Sequence, residues 1–194
     1  MMNKKHGIFS EPGTVRFERL LTGPAERIWD YLTKSELKAR WLSAGDVEPK
    51  VSGKVIFNFK HSDLTETGDP VPDKYKAMEE GTYFEGRVLV WQPFTKLEYT
   101  WGEGAGDAST VTYELIPHKN NKVLLRLTHR RLGDDPAIRI SVSAGWHTHL
   151  GILADRLSGK KPESFWKVHG EMETVYRSVI IKKDSADHRQ QDQG

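Results

Sequence analysis

Few side chains in this sequence are placed to do chemistry, and the histidines stand out among them. There are eight histidines and no cysteine, which excludes a disulfide framework, an iron–sulfur cluster, a thiolate zinc site and a cysteine nucleophile. His147 and His149 lie close enough in sequence to suggest metal chelation. On a helix, though, positions i and i+2 point about 200° apart, so the two imidazoles cannot hold one ion. One is therefore expected to face the interior and the other solvent. His149, between Trp146 and Leu150 in helical phase, is the one expected inside. His129 follows Leu125 and Leu127 at every second position, which points it inward near a strand end. There it can be a core histidine bonded to a backbone carbonyl or a tyrosine, a polar anchor for a ligand head group, or a general base. The last role needs an acid or hydroxyl partner within about 3 Å and a bound substrate. No catalytic residue, metal ligand or cofactor is assigned from the sequence.

The remaining motifs are negative. Gly102-Glu103-Gly104-Ala105-Gly106 imitates a phosphate loop, but position 107 is Asp and a strand follows where a helix N-terminus is required. It reads as a hairpin loop. No GxSxG or HExxH is present, and the acidic residues form no pair by spacing. Lysines and arginines exceed acidic residues by 29 − 27 = 2. The basic pairs Arg130-Arg131, Lys160-Lys161 and Lys182-Lys183 are short and dispersed, so no nucleic-acid partner is expected. The first residues lack the apolar stretch of a secretory signal, and no apolar run is long enough to cross a bilayer. A cytoplasmic protein is expected. At 194 residues the chain can build one substantial core.

The elements that must position these residues follow from periodicity. Residues 1–13 read as a polar lead-in. Val15 and Phe17 alternate with Arg16 and Glu18 in a first strand, Thr14 to Leu21. Gly23 and Pro24 open a helix whose buried stripe is Ala25, Ile28, Trp29 and Leu32. Thr33 to Glu36 resembles a capping box for a second short helix. About six antiparallel strands should follow, with Val55, Phe57 and Phe59 in phase between Val51 and Lys60. Phe84, Gly86, Val88 and Val90 are in phase next, then Leu97, Tyr99 and Trp101, then Val111, Tyr113 and Leu115, then Leu125, Leu127 and His129. Residues 61–80 form a long charged loop between them, of the kind that is often functional or mobile. In the last third Trp146, Leu150, Leu153 and Leu157 recur at helical spacing until Gly159-Lys160-Lys161-Pro162. Phe165, His169, Met172, Tyr176 and Val179 trace a further amphipathic helix that should pack on the domain or on a second subunit. Residues 184–194 read as a disordered polar tail.

An antiparallel sheet with one apolar face needs a cover, and the long helix supplies it. A curved sheet around one helix commonly encloses a cavity. The strings Pro24-Ala25-Glu26-Arg27-Ile28-Trp29, Leu37-Lys38-Ala39-Arg40-Trp41-Leu42, Phe84-Glu85-Gly86-Arg87-Val88, Leu97-Glu98-Tyr99-Thr100-Trp101 and Leu125-Arg126-Leu127-Thr128-His129, with Gly145-Trp146 opening the long helix, occur in this order. Together they resemble the START-like (SRPBCC, birch-pollen-allergen) superfamily, and within it the bacterial group named after the activator of heat-shock-protein-90 ATPase. The resemblance implies an α+β helix-grip fold over residues 14–158 and an interior cavity for a small apolar or amphipathic molecule; the helical spacing adds an extension over 159–183. Members of the superfamily include lipid carriers, polyketide cyclases and co-chaperone domains. Non-enzymatic ligand binding is the leading expectation. A chaperone partner and a cyclase using His129 or His149 are the alternatives, and either a monomer or a homodimer is compatible. The residues expected to line the cavity are Trp41, Phe57, Phe59, Phe84, Tyr99, Trp101, Tyr113, Leu127, His129, Trp146, His149, Leu150 and Leu153.

Overall fold

Alternation of dry and wet residues dominates the middle of the chain, and it produces an antiparallel sheet. The computed structural model describes the backbone of residues 5–102 and 108–191, with side chains through Lys182. The hairpin loop expected at 102–107 therefore lies largely outside the described residues. The elements are β1 (Ile8–Glu11), β2 (Thr14–Thr22), α1 (Ala25–Thr33), α2 (Ser35–Lys38), β3 (Lys54–Phe59), β4 (Thr82–Gln92), β5 (Lys96–Trp101), β6 (Ser109–His118), β7 (Lys122–Arg130), α3 (Pro136–Leu157) and α4 (Phe165–Gln191). The seven strands lie in the order β1-β2-β7-β6-β5-β4-β3, every neighbour antiparallel. The inner face carries Phe17, Phe57, Tyr99, Tyr113 and Leu127, each at most 1% exposed. Helix α3 lies against this face and is covered in turn by α4, so it is buried on two sides. A helix flanked this way is apolar nearly all round. No helix among the described residues is long and apolar enough to cross a membrane.

Several boundaries differ from expectation for identifiable reasons. Residues 1–13 contain an edge strand, β1, paired to β2. Among the described residues five strands follow the short helices, not about six. β3 starts at Lys54, not Val51, because Ser52 adopts a left-handed φ of 64°. The Thr33 hydroxyl donates to Trp29 O within α1 instead of capping α2. Helix α3 begins at Pro136, well before Gly145, where the Asp135 carboxylate accepts the Ala137 N–H at 2.8 Å. The backbone of α4 continues to Gln191, through most of the stretch expected to be a disordered tail. In β4 the register slips between Val88 and Val90, so Trp91, not Val90, packs against the core and meets Trp29 edge-on.

Lys38 ties the short helices to the sheet. Its ammonium is buried, donates to Ser43 Oγ (3.1 Å) and Ile56 O (3.0 Å), and sits 4.9 Å from the centre of the Phe57 ring. Burial lowers its pKa to about 7.

Beside Phe84, backbones approach so closely that only glycine fits: a Cβ on Gly86 would lie 2.1 Å from Thr100 O. Gly86→Ala is expected to destabilise the protein by about 2–3 kcal/mol, through displacement of β4 from β5. Urea denaturation checks this, and a loss below about 0.5 kcal/mol would contradict the contact.

Candidate functional site

The rings on the inner face have polar tips that cannot be buried bare. At the centre of the sheet they satisfy one another. The Tyr99 and Tyr113 hydroxyls are hydrogen-bonded at 2.8 Å, and burial pushes both pKa values above the ordinary phenolic range. Trp41 Nε1 donates to Tyr31 O at 2.7 Å. Trp146 Nε1 donates to His129 Nδ1 at 2.9 Å. His129 Nδ1 is thus an acceptor, so in the neutral ring Nε2 carries the proton and donates to Ser109 Oγ at 2.9 Å. Both nitrogens of His129 are engaged, and it reaches neither a carbonyl nor a tyrosine.

The open space lies to one side of this filled centre. A cavity of about 210 Å³ sits at the β3–β4–β5 end of the sheet, under α4. The sheet contributes Phe59, Thr82, Phe84 and Trp101 to its wall. Helix α3 adds Ser141, Val142, Gly145, Trp146 and His149. Helix α4 adds Phe165, Trp166 and His169, and the 61–80 segment adds His61, Tyr75 and Met78. Phe59, Trp146, His149, Phe165, Trp166 and His169 are buried in its wall, while Met78, Thr82, Phe84 and Ser141 are half-buried. Beyond Tyr75 and Ser141 lies a second hollow of about 500 Å³, rimmed by Lys74, Glu173 and Arg177.

Of the residues expected at the cavity, Phe59, Phe84, Trp101, Trp146 and His149 are brought together there. Trp41, Phe57, Tyr99, Tyr113, Leu127, His129, Leu150 and Leu153 are not. They are fully buried in the core between α3 and the sheet and do not line this cavity. Trp41 acts indirectly, because its carbonyl accepts the His149 Nδ1–H at 2.7 Å and fixes that ring. His147 does not face solvent. It lies beneath α4, with Nδ1 3.0 Å from the Tyr176 hydroxyl and its ring edge-on to Phe17.

The contributions of α4 and of residues 61–80 went unforeseen. The α4 stripe did contain Phe165 and His169, but its partner surface was not readable. The 61–80 segment has no periodicity, yet it is pinned. Leu64 and Val71 are buried, Arg156 donates to Leu64 O (3.1 Å), and Thr65 Oγ1 accepts the Phe165 N–H (3.2 Å). Tyr75 donates to Glu173 of α4, whose carboxylate also pairs with Lys74.

Burial sets the electrostatics. It lowers the pKa of His61 and His169 to about 4 and that of His129 to about 3, and it takes His149 well below its ordinary value. Each ring is neutral in the fold, whereas the unfolded chain binds protons from about pH 6.5 downward. The stabilisation is therefore complete above pH 6.5 and is lost as the pH falls toward 4. The slope is about 1.4 kcal/mol per pH unit for each such histidine. The urea midpoint should drop steadily from pH 6.5 to 5, before carboxylates titrate appreciably. A flat profile across that interval would contradict buried neutral imidazoles.

The family model described as "Activator of Hsp90 ATPase homolog 1-like protein" matches residues 22–158. A Bordetella parapertussis protein solved by solution NMR is 36% identical, with 88% of each chain covered and a TM-score of 0.73. That coverage extends beyond the span of the family match. A Mesorhizobium loti crystal structure is 25% identical over 75% of this chain and 97% of its own, with a TM-score of 0.56. The crystal structure of CalU16 from Micromonospora echinospora shares the fold at 15% identity, covering 90% of this chain and 94% of its own, with a TM-score of 0.61. None of the curated proteins compared with the chain matches it. The antiparallel sheet gripping α3 is the helix-grip architecture, and the chain belongs to the Activator of Hsp90 ATPase homolog 1-like family.

Proposed function

We propose that the protein binds one small apolar or amphipathic molecule in the cavity beneath α4 and does not transform it. The observation that carries this reading is the cavity itself. It is a space of about 210 Å³ walled by rings from four separate parts of the chain, some buried and some half-buried. Apolar space of about 150 Å³ accommodates benzene in other proteins, so one or two fused rings or a short branched chain fit here. A guest of that size would remove about 150–250 Å² from water. The corresponding gain is about 4–6 kcal/mol, before association costs.

Gly145 offers a clean test. It lies within α3 on the cavity wall, and a Cβ built on it meets no atom within 4 Å. A glycine inside a helix is unfavourable by about 1 kcal/mol relative to alanine. Gly145→Leu is therefore expected to keep or raise the melting temperature while filling the space. In a thermal-shift screen of lipids and aromatic fragments, the unmodified protein should be stabilised by at least one compound and the variant by none. Equal stabilisation of both, or no response from either, would defeat the reading.

A further inference from the structure

The cavity wall is mostly ring surface; Trp166 Nε1–H is buried in it without a partner, and the two nitrogens of His149 are in a fixed chemical state. His149 Nδ1 lies 2.7 Å from Trp41 O, and a carbonyl oxygen only accepts, so Nδ1 carries the ring proton. Burial among Phe59, Trp146 and Phe165 keeps the imidazole uncharged. Its Nε2 is then a bare lone pair. No hydrogen bond to it from a described residue is found, and the His149 ring lines the cavity. None of the residues lining the cavity is a lysine, arginine, aspartate or glutamate. An anionic guest would meet a lone pair with no counter-charge, and a guest without a donor would leave Nε2 desolvated and unpaired.

We propose that the guest is a neutral aromatic molecule of one or two fused rings that donates an O–H or N–H hydrogen bond to His149 Nε2. This rests on the reading of the cavity as a ligand site and adds the chemical class it selects. His149 is the specificity-determining residue, held by Trp41. The surrounding rings take any flat apolar body, and the nitrogen selects those bearing a donor.

The test compares 2-naphthol with 2-methylnaphthalene, which has a methyl group in place of the hydroxyl, and with 2-naphthoate, by calorimetry at neutral pH. The expected result is that 2-naphthol binds at least about tenfold more tightly than either. In nitrogen-resolved NMR of the unmodified protein, the His149 Nε2 signal should move upfield with 2-naphthol and not with 2-methylnaphthalene. His149→Phe should abolish the preference. If that variant does not fold, the nitrogen signal decides alone. Equal or tighter binding of 2-methylnaphthalene, tighter binding of 2-naphthoate, or an unmoved Nε2 signal would overturn the donor requirement and leave the ligand-site reading standing. Failure of all three compounds to bind would overturn both.

Discussion

The Trp146 indole N–H donates to His129 Nδ1, and the arrangement of the site follows from that 2.9 Å bond. Trp146 is the largest side chain that α3 directs at the sheet, and an unpaired N–H there would cost about 1–3 kcal/mol. Its partner must be an acceptor on the sheet, and among the inward residues of β7 only His129 can be one. Committing Nδ1 obliges Nε2 to carry the proton, which Ser109 of β6 receives. One hydrogen-bonded chain thus runs from helix to two strands and fixes α3 in both rotation and height. With that position set, Leu150 and Leu153 fall into the core and His149 reaches the carbonyl of Trp41. The indole face is left as cavity wall because its polar atom is already satisfied on the other side.

The same constraint explains why the space lies where it does. Under the middle of the sheet the Tyr99 and Tyr113 hydroxyls pair with each other, and Trp41 Nε1 pairs with Tyr31 O, so the polar tips there are satisfied within the core. Toward β3 the filling rings are phenylalanines, which have no tips to pair. Phe57, Phe59 and Phe84 stack within 4.7–6.1 Å of one another. The room left beyond them is roofed by α4 and by residues 61–80, which are fastened together through Tyr75, Glu173 and Lys74.

The strands were legible in the sequence because each has one dry and one wet face, and the order of the aromatic strings was enough to indicate the helix grip. What was hidden depended on packing between distant segments. The extra residue in β4 leaves no trace in a run such as Val88-Leu89-Val90, where every side chain is apolar, so the switch from Val90 to Trp91 could not be read. Inward pointing was read correctly for Tyr99, Tyr113, Leu127 and His129. Whether an inward ring borders space or another ring depends on what faces it, and period-two patterning carries no such information. The stripe on α4 announced an apolar face without saying what it covers. Residues 61–80 had no pattern at all, because they are held by single hydrogen bonds and two buried aliphatic side chains.

Tyr176 gives α4 a further part to play. Its hydroxyl accepts the Gly7 N–H at 2.8 Å, lies 3.0 Å from His147 Nδ1, and shares its surroundings with the buried Arg19 guanidinium, which burial holds at a pKa of about 10. Gly7 and Tyr176 are 169 positions apart. During synthesis the first strand therefore emerges long before the tyrosine that secures it. The strand β1 pairs with β2 early, but the bond from Gly7, just before it, to Tyr176 can form only once α4 has been made. The outermost edge of the sheet is in this sense secured by a helix made long after it.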